Sequence, residues 1–291
     1  MSKKQIISIG IVVVLIATYL GIKLYASNVA EGNVNEAITK AASFADIDYK
    51  KVSVDLLTMD VRISDILVSL KDSREKIKID EITIHDIDDK SDIPTFLSIS
   101  CEGIEIDLHD LADDSDIKAL GYHERMMINL NVDYAYNKEK NELDIKDIRL
   151  EVDEAGTLSV SFHLGNINLK PEGIIGALFT FPHIIFHEAQ IKYEDDSLVE
   201  RLIQLGAQRK QTSVKDFKES LMRQVEKEIE KEKDDFIKEA LVEIKKFLED
   251  PDEFTISASP SKPHPLGRIM RVNDPKDVIK LLNITLLQKR F

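Results

Sequence analysis

Three hydrophobic rhythms follow one another along the chain. From Gln5 to Ile22 eighteen residues carry no charge and are rich in Ile, Val and Leu. At 1.5 Å per residue such a run spans about 27 Å, the depth of a bilayer core. Lys3 and Lys4 precede it and acidic residues follow Lys23, so the positive-inside rule predicts a cytoplasmic N-terminus and an exported body. The run is longer than the apolar segment of a usual cleaved leader, and no A-x-A site stands before Glu31. These features predict an uncleaved anchor.

A short amphipathic stretch, Asn33 to Phe44, leads into apolar alternation, the period of half-buried strands. That alternation skips a beat at regular intervals. Ile77 and Ile79 are followed by Ile82 and Ile84, Ile99 and Cys101 by Ile104 and Ile106, and Leu143 and Ile145 by Ile148 and Leu150. The same pattern recurs as Phe162, Leu164, Ile167, Leu169, as Ile184, Phe186, Ala189, Ile191, and in part as Val61, Ile63, Ile66, Val68. Side chains alternate faces with period two, so a skipped beat means either a change of face or an extra residue absorbed as a bulge. Bulges at a common level predict a bent antiparallel sheet. Two arrangements satisfy the pattern, an open apolar groove and a closed two-layer sandwich.

From Ser197 the period lengthens to that of a helix, with Leu198, Leu202 and Leu205 on one face. A longer helix is predicted from Ser213, which can cap it, to the residue before Pro251, with Phe217, Leu221, Val225, Phe236 and Ile244 in its apolar stripe. Phe254, Ile256 and Ala258 then predict a strand, Pro275 to Leu282 a short helix, and Thr285 with Leu287 a final strand. The expected fold class is α+β: an N-terminal transmembrane helix, then a curved, mainly antiparallel β-sheet body with a helical insertion and a C-terminal strand return. Its expected parts are a membrane anchor at 1–25, a β-rich extracytoplasmic body at 26–196, a helical segment packing on that body at 197–250, and a strand/helix/strand completion at 251–291. The expected location is the inner, cytoplasmic membrane, with a single pass and a periplasmic body.

Composition narrows the partners. The chain is 43% hydrophobic and 32% charged, which suits a folded body, and its net charge of −14 repels phosphate backbones, so no nucleic-acid partner is expected. Its one cysteine, Cys101, falls in the apolar phase of a predicted strand and reads as a small buried hydrophobe.

Chemistry-bearing motifs are sparse. His183 and His187, followed by Glu188, have spacing that could place two ligands together, but no H-E-x-x-H, CxxC or third ligand at a motif spacing accompanies them. The eleven glycines form no dinucleotide fingerprint, P-loop or nucleophile elbow. The carboxylate groups Asp86, Asp88, Asp89 and Asp113, Asp114, Asp116 lie in turn-like contexts and read as solvated loops. Asn283, Ile284 and Thr285 form a glycosylation sequon. No catalytic residue, no cofactor and no metal is therefore assigned.

The order of an N-terminal anchor, a short helix, Tyr49, Val52, Val54, Leu56, a turn, and Val61, Ile63, Ser64, Asp65, Ile66, Val68 resembles the start of AsmA-like bacterial envelope proteins. The resemblance covers residues 1–110; the helices from Ser197 to Asp250 have no counterpart in that family. It implies a β groove that holds or conducts phospholipid. The expected function is a non-catalytic, membrane-anchored, lipid-binding or lipid-handling module of the cell envelope, with Ile79, Ile99, Ile106, Leu150 and Phe162 as lipid-facing candidates. The alternative is a structural or assembly protein of the envelope that acts through a protein partner.

Overall fold

A computed structural model of the protein describes residues 45–70, 76–88, 91, 94–107, 119–122, 125–168 and 181–289. Nine strands come first: β1 (Ala45–Asp48), β2 (Lys51–Val54), β3 (Val61–Leu70), β4 (Lys76–Ile87), β5 (Phe96–Asp107), β6 (Arg125–Asn137), β7 (Glu142–Val152), β8 (Gly156–Gly165) and β9 (Ile185–Asp195). Helices α1 (Leu198–Arg209), α2 (Val214–Lys231) and α3 (Asp235–Glu249) follow, then β10 (Glu253–Ala258), β11 (His264–Pro265), α4 (Leu266–Ile269), α5 (Pro275–Leu282) and β12 (Ile284–Lys289). The twelve described strands all belong to one sheet, whose main path runs β1-β3-β4-β5-β6-β7-β8-β9-β10-β12. On one edge β1 and β2 share β3 end to end, and β11 lies beyond β10 along β9. Every pairing is antiparallel.

Two expectations are corrected here. The expected α+β class opened by a transmembrane helix is corrected for the described residues: a single antiparallel sheet dominates them, and the helices are accessory to it. Among those residues no helix is long and apolar enough to cross a membrane. Each described helix keeps a charged face; α2, the longest of them, carries Glu226, Lys227, Glu228, Glu230 and Lys231 in its last turns. The single-pass inner-membrane location rested on a spanning helix and is corrected to the extent that no described helix supplies one. The run from Gln5 to Ile22, the predicted stretch from Asn33 to Phe44 and the Asp113 cluster lie outside the described residues.

The skipped beats are bulges and kinks, and they fall at two levels of the sheet. At the first, Asp65 of β3 and Asp80 of β4 lie between ladder pairs on opposed strands, and the register shifts between Cys101 and Ile104 of β5 against β6. Asp65 and Gly103 both take positive φ there, 55° and 65°; at Gly103 this left-handed conformation coincides with the register shift, as in a bulge that places glycine there. At the second level the register shifts at Asp86 of β4, between Asp133 and Tyr134 of β6, and between Ile145 and Ile148 of β7. A further shift opposes His163 of β8 with two residues of β9. The bulges keep the apolar residues of neighbouring strands on one face despite the lost beat.

Cross-strand register turns that face into ribs. One rib runs Ile63, Ile82, Cys101, Leu130, Leu150, Leu158, Tyr193, Phe254. The next runs Val61, Ile84, Ile99, Val132, Ile148, Val160, Ile191, Ile256, Leu286. The closed core lies at the β3–β6 end, where Ile63, Ile66, Ile79, Ile82, Ile84 and Leu97 are fully buried. Burying one such side chain stabilises the fold by about 1.5–3 kcal/mol.

The helices close the other end. The Phe247 ring of α3 lies 6.2 Å from Tyr193 and 5.4 Å from Phe254, and Glu243 of the same helix accepts the backbone N–H of Gln288 in β12 at 2.9 Å. The sequence predicts one long helix from Ser213; the structure divides it into α2 and α3. Ser213 caps the first by accepting from the Asp216 N–H, and Asp234 caps the second by accepting from that of Ile237. Glu232 intervenes, its carboxylate taking the N–H groups of Lys233 and Asp234 out of the helical ladder.

Candidate functional site

The apolar face is the first candidate surface. All five lipid-facing candidates fall in its phase, but they differ in access. Ile79 and Ile99, 1% and 3% exposed, are sealed inside the core and present no surface to a ligand. Ile106, Leu150 and Phe162 are half-buried. The open stretch lies further along the ribs, at Leu158, Ile191 and Ile256, which are 38%, 44% and 36% exposed. Ile191 and Ile256 are direct cross-strand partners. Strand alternation identifies which residues share the face; how far the core covers it depends on packing that periodicity does not encode.

The opposite face is polar and partly closed by its own ion pairs. Glu253 of β10 is buried, and Lys192 and Lys289 from the flanking strands approach its carboxylate at 3.6 and 3.4 Å. Thr255 donates to the same carboxylate at 3.3 Å. The hydrogen bond from Lys192 to Glu194 holds that ammonium above its ordinary pKa. With both signs matched in one row, this cluster joins β9, β10 and β12 and offers no unpaired group for catalysis.

Further along the polar face, three strands bring Glu142, His163 and His187 together. Leu143 of β7, Leu164 of β8 and Phe186 of β9 share an apolar rib, so Glu142 and His163, each one residue away, project to the other side. In β9 the bulge sets His187 and Glu188 between Phe186 and Ala189, two residues against the single His163. The extra residue brings the His187 ring onto that of His163, centroids 4.2 Å apart and planes within 14°. His163 Nε2 is 3.8 Å from Glu142 Oε2, and one ligand atom from each of the three residues lies within 4.8 Å of the others. Burial pushes the His187 pKa down and the neighbouring His163 adds to that, which favours a neutral imidazole with a lone pair to offer.

A cavity of about 460 Å3 extends beside this cluster, lined in part by Asp144, Lys146, Ser161, Glu188, Gln190 and Ser257, with Phe162 also in its wall. Asp144 and Glu188 are the ladder partners of His163 on either side. The cluster therefore stands at the margin of the cavity.

The histidine pair suggested by spacing does not form. His183 sits in a short 3-10 turn, Phe181–His183, where it is exposed and its carbonyl accepts from Asn166. His187 has His163 as its neighbour instead. Only strand order and the position of the bulge bring 163 beside 187, and the sequence clue was the missing beat between Phe186 and Ala189. Of the carboxylate group at the end of β4, Asp88 accepts the N–H and hydroxyl of Thr95 at 3.0 and 2.6 Å, a loop-closing role. Asn283 of the sequon caps α5 in the left-handed conformation and donates to Ser259.

A family model described as "Uncharacterized protein" matches residues 149–289, slightly less than half of the chain. The match runs from within β7 to the end of β12 and so includes His163 and His187 but not Glu142. No curated protein matches the chain.

Proposed function

We propose that this protein is a non-catalytic binding module whose half-open apolar ribs accept a lipid acyl chain. The observation that carries the reading is the gradient along a single rib, from Val61, Ile84 and Ile99 in the closed core to Ile191 and Ile256 near the other end. Apolar residues aligned across neighbouring strands form a continuous trough that water solvates poorly, and a flexible hydrocarbon fits it without requiring hydrogen bonds. The closed β3–β6 core acts as the rigid base, and α3 bounds the far side through Phe247. Phospholipid binding is also what the resemblance to AsmA-like proteins implies. The ligand-facing set supported by exposure is Leu158, Ile191 and Ile256, with Leu150 and Phe162 at its margin.

Native mass spectrometry of the full chain, purified and then presented with phospholipid, tests the reading. Lipid adducts that disappear in an Ile191→Glu, Ile256→Glu variant of unchanged circular dichroism are the expected result. A clean apo mass under the same conditions sinks the lipid reading and leaves the apolar stretch as a surface for a protein partner, the alternative of a structural or assembly role.

A further inference from the structure

We propose that Glu142, His163 and His187 form a binding site for a divalent transition-metal ion, with zinc as the best match, built across β7, β8 and β9. Two imidazoles and one carboxylate suit a borderline ion of the zinc group and are a poor set for calcium or magnesium, which take oxygen ligands throughout. The site lies on the polar face and is independent of the acyl-chain reading, which concerns the apolar one.

Three separate features converge on it. The ligand atoms already lie within 4.8 Å of one another. Around a tetrahedral zinc they would stand about 3.4 Å apart, as bond lengths of about 2.1 Å require. The half-buried set closes by a shift of about 1 Å together with a turn of one imidazole out of its stack on the other, which brings both ring planes onto the ion. The β9 bulge supplies the second histidine: without the extra residue, strand alternation would not place both His187 and Glu188 opposite His163. Gly165 clears the space for that ring, since a Cβ at this position would stand 2.7 Å from His187 Nε2. A side chain here would push the imidazole away from its neighbour. Asp144 and Glu188, the ladder partners of His163, line the neighbouring polar cavity, from which water can reach an ion held by the three ligands.

Isothermal titration of the tag-free full chain with zinc chloride tests the site. The expected result is one equivalent bound, with affinity reduced at least roughly tenfold in each of His163→Ala, His187→Ala and Glu142→Gln, and unchanged in His183→Ala. Replacement of zinc by cobalt(II) is expected to give visible d–d absorption of a four-coordinate ion, lost in the same variants. Gly165→Ala is expected to weaken binding although it removes no ligand. Equal affinity in the wild type and the three ligand variants, or no stoichiometric uptake by the folded protein, overturns the proposal. Circular dichroism distinguishes a lost ligand from a lost fold, and His187→Gln, which preserves size and polarity, repeats the test if the alanine variant unfolds.

Discussion

Arg201 of α1 holds Glu154 of the β7–β8 turn, guanidinium Nη2 2.6 Å from carboxylate Oε2. The same guanidinium donates through Nη1 to the carbonyls of Leu120 and Gly121 at 3.2 and 2.8 Å, and lies 4.3 Å over the ring of Tyr122. Ser197, just before the helix, donates to the Glu154 carbonyl and accepts from Arg201 Nε at 2.9 Å. One planar fork thus ties three separate stretches of chain. Its five donors fit this role where the point charge of a lysine would not.

Arg201→Ala is therefore expected to lower stability by about 2 kcal/mol, the sum expected for a charge-assisted pair, carbonyl bonds and a cation–ring contact at a partly exposed site. Arg201→Lys is expected to recover less than half of the loss. Urea unfolding of the two variants beside the wild type measures both. Equal midpoints for all three would show that the fork does not hold α1 to the sheet.

The first residue of β8 is a position that only glycine tolerates. Gly156 takes φ 138°, and a Cβ there would lie 2.3 Å from the backbone carbonyl oxygen of Glu194 on the neighbouring strand. Backbone cannot yield as a flexible side chain can, and the dihedral is itself unfavourable for other residues. Gly156→Ala is expected to cost more than about 2 kcal/mol and to lower the thermal midpoint by several degrees. A variant as stable as the wild type would mean that β8 and β9 can part here without loss.

Much of the sheet was legible because isoleucine, leucine and valine mark each strand's apolar phase, and the missing beats at Asp65, Asp80 and Glu102–Gly103 marked the kinks. Their alignment was only partly legible. The sequence suggested one common level, whereas the bulge at Ile145–Ile148 pairs with a second level through Asp133 and Asp86. Register across strands decides this, and no single strand carries it. Extent of cover was likewise hidden: Ile99 and Ile191 look alike in sequence, stand on one rib, and are 3% and 44% exposed. The Glu142, His163, His187 cluster was missed because its members are separated by 21 and 24 positions in the chain, and hairpin geometry brings them together.

Cys101 stands in the middle of the buried rib, between Ile82 and Leu130, and burial pushes its thiol pKa up to about 12. The thiolate is the reactive form, so the native protein is expected to be inert to thiol reagents at pH 8 and to label only as fast as the core opens. Cys101→Ala is expected to cost about 1 kcal/mol through lost packing, without new reactivity elsewhere. Labelling followed by mass spectrometry in increasing urea reads the first expectation. Rapid labelling of the folded protein would place Cys101 outside a closed core.

Acid groups crowd the end of β9. Asp196 has its pKa raised by burial first, then by the charges of Asp195, Glu151, Glu194 and Asp153. A carboxylate whose folded pKa exceeds its unfolded value binds more protons in the folded state within the interval between the two. Stability is therefore fullest at pH values below the ordinary 3.8, falls as pH rises through the raised folded value, and is lowest above it. Asp196→Asn removes the charged form and is expected to raise the unfolding midpoint at pH 7 while leaving little difference near pH 3. Added salt is expected to shrink the gain at pH 7, because part of the effect is repulsion among partly exposed charges. Thermal unfolding of the two proteins at both pH values, with and without salt, separates this from a hydrogen-bonding role for the carboxylate, in which case Asp196→Asn would destabilise the protein at pH 7.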